Sequence, residues 1–122
     1  MKKIVFLLFF TFSITTFKAN GQTCEEIMEF VKSKSYGTTY TSYNSDAISS
    51  VTFYDIMIDY QSYYFAIVCF KQGYISCNEY IYQVESSTKM YYSMNYINSA
   101  GKAFWSFIQP YNKNLGCATD ID

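Results

Sequence analysis

Four cysteines, at positions 24, 69, 77 and 117, constrain this chain more than any other feature. What they imply depends on the compartment, and the N-terminus speaks to that. Lys2 and Lys3 precede an almost unbroken apolar run at 4–17, and Ala19-Asn20-Gly21 supplies small residues at the two positions a signal peptidase reads. The run is shorter than the roughly 20 residues a membrane span needs. An uncleaved N-terminal anchor is the alternative. A lipid-modified start at Cys24 would need small and aliphatic residues ahead of it, which Asn20-Gly21-Gln22-Thr23 does not supply. The sequence therefore predicts a signal peptide at 1–21, cleavage after Gly21, an exported (periplasmic or extracellular) protein and one mature domain at 22–122.

In an exported domain of this size, four cysteines read as two disulfides. Three pairings are possible, and local pattern favours one. Cys69 and Cys77 are symmetric about Gly73, a natural hairpin tip; Cys24 and Cys117 stand at the two ends of the domain. The expected pairs are Cys69–Cys77 and Cys24–Cys117. By loop-closure entropy the long bridge contributes roughly 4–5 kcal/mol and the short one roughly 2–3. A four-thiolate zinc site would call for CxxC pairs, and the sequence has none. No metal or cofactor is implied.

Composition then narrows the chemistry. The 122 residues include no His, which excludes a His triad, a His base and His metal ligands. Three of the nine basic residues fall in the leader, leaving six lysines against ten acids, a mature balance near −4. Such a chain has no electrostatic reason to seek polyanions. All 14 Tyr lie in the mature part, against six of the eleven Phe.

Local pattern predicts an α+β domain in the order α-β-β-β-α-α, with helices packed on a small antiparallel three-stranded sheet. Thr23 and Glu26 form a capping box for a helix at 23–34, with Cys24, Ile27 and Val31 on one stripe. The stretch 35–50 reads as loop, with a short edge strand around 39–43 as a variant. Strands follow at 51–58, 63–71 and 77–84, rich in β-branched and aromatic residues, with a turn at 59–62. Pairing about Gly73 puts Phe65, Ile67, Cys69, Cys77 and Ile81 on one face and Tyr64, Ala66, Val68, Phe70, Tyr80 and Tyr82 on the other. Both faces are apolar enough to be covered. Ser86 or Ser87 caps a helix reaching about 98, and a last helix at 102–109 stops at Pro110.

Three stretches in this order have a familiar spacing: Val68-Cys69-Phe70-Lys71-Gln72-Gly73, then Tyr80-Ile81-Tyr82 with Val84, then Ser99-Ala100-Gly101-Lys102-Ala103-Phe104 reaching Ile108. They resemble the KTSC domain, a small sheet followed by helices, named for the C-terminal extension of some lysyl-tRNA synthetases. The resemblance covers about 48–108 and implies structural motif roles for Phe70, Gly73, Ser99, Gly101, Lys102, Phe104 and Ile108. Glu85 stands where the family usually has Pro, and Gln109 where a basic residue is common. The N-terminal helix and the cysteine pairs are not part of the family pattern. The resemblance implies no established activity; nucleic-acid binding follows only from the synthetase context. RNA binding uses a basic surface with stacking aromatics, and here the aromatics come without the basic surface.

Three functional readings remain. The first is a non-catalytic interaction module with a Tyr-rich surface for a protein, peptide or glycan, with Tyr80, Tyr82, Tyr91 and Tyr92 as candidate contacts. The alternative for Tyr80 and Tyr82 is a core in which Tyr replaces Phe. Exposure is expected of Tyr36, Tyr40 and Tyr43 in the loop. The second is a small hydrolase-like enzyme using Ser99 with Lys102, or Asp55 with Asp59. Ser99 reads equally as a helix N-cap with Lys102 solvated and Gly101 permitting close packing, and the two aspartates stand roughly 13 Å apart by strand rise. The third is a nucleic-acid binder by family analogy.

Overall fold

The structure, a computed structural model, describes residues 23–118. The expected leader and its cleavage point lie outside the described residues. Helix α1 (Cys24–Lys34) starts on the capping box: Thr23 Oγ1 accepts from the Glu26 amide at 3.1 Å, and Glu26 Oε1 accepts from the Thr23 amide at 3.0 Å. Its apolar stripe buries Ile27 and Val31 completely. Lys32 Nζ donates to Glu79 Oε1 at 2.8 Å, and that bond chiefly raises the Lys32 ammonium's pKa. Both partners are solvent-exposed, so the pair contributes at most about 1 kcal/mol.

Four antiparallel strands follow in sequential order: β1 (Thr38–Thr41), β2 (Ile48–Ile58), β3 (Gln61–Gln72) and β4 (Ser76–Val84). The sequence predicts three strands. The fourth, β1, is an edge strand on β2, with Thr39 opposite Thr52 and their hydroxyls 2.8 Å apart. It is short and mostly exposed, so it lacks the alternation that marks a strand. At the start of β2 the register slips between Ile48 and Ser50. This bulge lets Ile48 and Val51, three residues apart, enter the same core.

The β2–β3 turn is tighter than the expected 59–62. Ile58 pairs with Gln61, and Asp59 (φ 53°) and Tyr60 (φ 67°) make a two-residue turn. Left-handed backbone at both positions matches the strands' twist. The β3–β4 hairpin is centred on Tyr74 rather than Gly73: Lys71 faces Cys77, and Cys69 faces Glu79. Gly73 begins a three-residue tip in the left-handed region (φ 76°). The offset moves the partner strand by two residues, so every side chain keeps its expected face. It also makes Cys69 and Cys77 diagonal neighbours, bonded with Cα atoms 5.4 Å apart.

Both faces of the sheet are covered. On one, Val51, Phe53, Ala66, Val68 and Tyr82 meet Tyr92 of α2 (Thr88–Asn95) and Ala103 and Phe104 of α3 (Ala100–Phe107). On the other, Ile56, Phe65, Ile67 and Ile81 meet Ile27 and Val31 of α1. Helix α3 ends at Phe107, short of the expected 109, and the chain continues through a 3-10 turn that contains Pro110 (Gln109–Tyr111) into a one-turn α4 (Asn112–Leu115). This tail passes from one core to the other across β4: Ile108 belongs to the first core, Leu115 to the second, and Asn114 Nδ2 donates to the Gln83 carbonyl at 2.8 Å. The Cys24–Cys117 disulfide, with Cα atoms 5.7 Å apart, ties the tail to the start of α1. Both disulfides are the expected ones.

Several helix boundaries differ from expectation, and α2 ends at Asn95 rather than about 98. The α2 cap is not a serine side chain; Thr88, buried, accepts from the Glu85 amide at 3.2 Å. Ser99 does cap α3, taking the Lys102 amide at 3.2 Å, so α3 begins at Ala100 rather than 102. Among the described residues no helix is long and apolar enough to cross a membrane.

Candidate functional site

The four tyrosines expected to form a binding surface do not form one. Tyr82 and Tyr92 are completely buried, one on β4 and one on α2. Strand parity sends Tyr82 into the core beside Phe104, and Tyr92 stacks on Tyr96 with centroids 5.5 Å apart. Burial pushes both phenols up, the Tyr92 phenol to about 12. The nearby Ser42 hydroxyl offsets part of the Tyr92 rise without reaching hydrogen-bond geometry, and the hydroxyls of Tyr82, Tyr92 and Ser42 have no partner among the described residues. Tyr80 is half-buried against Phe70, at 5.8 Å, and Tyr91 lies on the helix surface, stacked on Phe107 at 5.5 Å. These residues are core and its margin.

Three of the motif residues pack in the first core. Phe70 packs edge-on to Phe104 at 5.2 Å, and Phe104 and Ile108 are buried. The Ser99 hydroxyl accepts the capping bond from the Lys102 amide, and the Lys102 side chain is exposed. Gly101 is not there for close packing: nothing lies within 4 Å of where its Cβ would stand. Asp55 and Asp59 are exposed, on a strand and in a turn, and no cluster among the described residues could hold a metal ion.

What the fold does assemble is one end of the sheet. The loop 42–47, the hairpin tip 73–75 and the α2–α3 connection 96–99 converge there. Their large side chains face solvent: Tyr74 and Ile75 are fully exposed, Tyr43 is 87% exposed and Ile97 75%. The backbone beneath them is held. Ser45 Oγ accepts from the Ile48 amide at 3.0 Å, the Lys71 amide donates to the Ala47 carbonyl at 2.7 Å, and the Lys71 ammonium donates to the Ser45 carbonyl. The Cys69–Cys77 bridge braces the hairpin behind its tip.

Two clefts flank this end and share Asp46 as a lining residue. The larger, about 530 Å³, lies between residues 41–47 and 96–101. The smaller, about 360 Å³, lies between Asp46 and the hairpin tip, with Lys71 and the Cys69–Cys77 bridge in its wall. Tyr96 stands in the larger cleft as a fixed ring, stacked on Tyr92 and edge-on to Tyr40 at 5.3 Å. Among the described residues, Asp46 is the only ionisable carboxylate or amine lining that cleft. Its remaining polar groups are hydroxyls, amides and backbone. Sequence reading placed Tyr43 in an exposed loop but missed Tyr96, Ile97 and the Tyr74-Ile75 tip. The adjacency of loops far apart in sequence, which only the sheet order sets, is what joins them.

Compared with protein-family models, curated proteins and solved structures, the chain matches none.

Proposed function

We propose that the chain is an exported, disulfide-braced binding module that works through the loop end of its sheet. The observation that carries this is the concentration of Tyr43, Tyr74, Ile75 and Ile97, large apolar groups held out in solvent on three adjoining loops. Leaving such groups exposed forgoes their burial, about 1.5–3 kcal/mol for each large side chain. Clustered exposure of this kind is a mark of interaction sites. The two disulfides fit an oxidising compartment and give the loops a stiff base. The motif spacing and the succession of strands then helices support a KTSC-like core within an exported elaboration.

Catalysis finds less support, since Ser99 is a cap and the aspartates stand apart. Nucleic-acid binding finds less still, with six lysines against ten acids in the mature chain. The test is retention on the source cells' envelope and medium fractions, using oxidised protein. Tyr74→Ser with Ile75→Ser, and separately Tyr43→Ser, should reduce retention at least about tenfold, the scale of losing a buried anchor. Tyr36→Ser and Tyr60→Ser, equally exposed but away from the loop end, should not. Equal loss in both sets, or in neither, overturns the assignment.

A further inference from the structure

We infer that the larger cleft at the loop end is a binding site for a neutral, hydroxyl-rich ligand, a saccharide. The inference rests on the loop-end reading and names its ligand chemistry. Charge bears on the ligand first. Among the described residues lining the cleft Asp46 is the one carboxylate and there is no lysine, and the Lys71 ammonium behind the wall is engaged by the Ser45 carbonyl, so a phosphate or carboxylate ligand would meet Asp46 without a free counter-charge. The surfaces of the cleft are mixed. Tyr43, Tyr96 and Ile97 present apolar faces, and the side-chain amides of Asn44 and Asn98 make no hydrogen bond among the described residues. A sugar ring has the matching pair of features, a C–H face that packs on an aromatic ring and a rim of hydroxyls that both donate and accept. Asn amides serve both directions, and the Asp46 carboxylate accepts from a hydroxyl pair.

The cleft is also pre-organised. Tyr96 needs little further ordering, because Tyr92 and Tyr40 already hold its ring. Asn95 Nδ2 donates to the Tyr91 carbonyl at 2.8 Å and its carbonyl accepts from the Asn98 amide at 3.2 Å, which fixes the loop carrying Asn98. At about 530 Å³ the cleft falls within the usual range of small-ligand sites, roughly 300–1,000 Å³. A cationic ligand is the competing chemistry, through Asp46 and the two tyrosines. The greater number of neutral hydrogen-bonding groups favours the sugar.

The experiment is an NMR titration of the oxidised domain with cellobiose, maltose, lactose and N,N′-diacetylchitobiose, with choline chloride and sodium phosphate as charged comparators. At least one disaccharide should shift the amides of Tyr43, Tyr96 and Asn98 saturably, and the charged probes should not. Asn98→Ala should weaken that binding about fivefold to tenfold, the loss of a hydrogen bond to ligand, and Tyr60→Ser should leave it unchanged. Absence of saturable shifts with every disaccharide, a response to choline or phosphate instead, or binding indifferent to Asn98→Ala each overturns the inference. If envelope retention depends on Tyr74 and Ile75 while no sugar binds, the sugar falls and the loop-end reading stands. If a sugar binds in the cleft while loop-end substitutions leave retention unchanged, the loop-end reading falls instead.

Discussion

Tyr82 and Tyr92 carry hydroxyls into a core where, among the described residues, neither makes a hydrogen bond, and each substitution of a buried polar group tests whether that group helps or harms. Replacing an unsatisfied hydroxyl with hydrogen removes a desolvation cost and leaves the ring in place. Tyr82→Phe and Tyr92→Phe are therefore expected to be neutral or to stabilise by up to about 1 kcal/mol, read from the midpoint of urea unfolding. The same burial makes stability fall in alkali. The folded Tyr92 phenol is raised to about 12, while an unfolded tyrosine titrates near 10. Between those values the unfolded chain has lost the proton and the native chain keeps it, so the unfolded state is favoured as pH rises. The stability contribution is complete below about pH 10 and declines above it, at no more than about 1.4 kcal/mol per pH unit for each group. Tyr92→Phe should lessen that slope, measured as urea midpoints at successive pH values from 9 to 12. A variant as steep as the wild type would show that burial of this hydroxyl is not the cause.

At the scale of elements, two glycines make opposite demands. Gly37 leads into β1 where the chain crosses β2 closely: a Cβ there would overlap Thr52 Cγ2 and stand 2.9 Å from the Tyr54 ring. Gly37→Ala should destabilise by about 1–3 kcal/mol, as overpacking does. Gly101 lies in the first turn of α3 with open space around it, and Gly101→Ala should stabilise by about 0.4–1 kcal/mol through the unfolded chain's lost freedom. Thermal unfolding of the two variants checks both signs, and a destabilised Gly101→Ala would restore a packing role to that motif glycine. The contrast also marks what could be read from sequence. The α1 cap, the strand faces and both disulfides were legible: the cap from the spacing of Thr23 and Glu26, the faces from the two-residue side-chain period of strands, and the bridges from the nearness of Cys69 and Cys77 to one turn and the place of Cys24 and Cys117 at the two ends of the domain. Strand β1 was legible only as a variant, an edge strand around 39–43, since a four-residue exposed edge carries no alternation and is fixed by its pairing with β2. The β3–β4 register came out two residues off because Gly73 opens the tip rather than standing at its centre. The Tyr80, Tyr82, Tyr91 and Tyr92 set failed as a surface because tyrosine fills cores and interfaces alike, and the helix that covers β4 decides which.

The whole molecule is a sheet clamped between two helical layers, with one bridge at each of two separate tasks. Cys24–Cys117 closes 93 residues of chain and fastens α1 to the tail that rounds β4, so it acts on the domain as a unit. Cys69–Cys77 spans only eight residues and lies beside the loop end. The entropy of loop closure gives the long bridge roughly 4–5 kcal/mol and the short one roughly 2–3. Cys24→Ser with Cys117→Ser should therefore lower stability the more, and should do so through the α1 side, where Ile27, Val31 and Leu115 lose their common anchor. Cys69→Ser with Cys77→Ser should cost less stability and should loosen the hairpin on which Tyr74 and Ile75 stand. The two double variants thus separate folding from recognition. Urea unfolding ranks their stabilities, and envelope retention under conditions where both remain folded ranks their binding. If the short bridge serves the loop end, its loss weakens retention more than the loss of the long bridge does, reversing the order seen in stability. If retention follows stability in both variants, the short bridge acts only on folding, and the stiffness of the hairpin has no part in what the loop end binds.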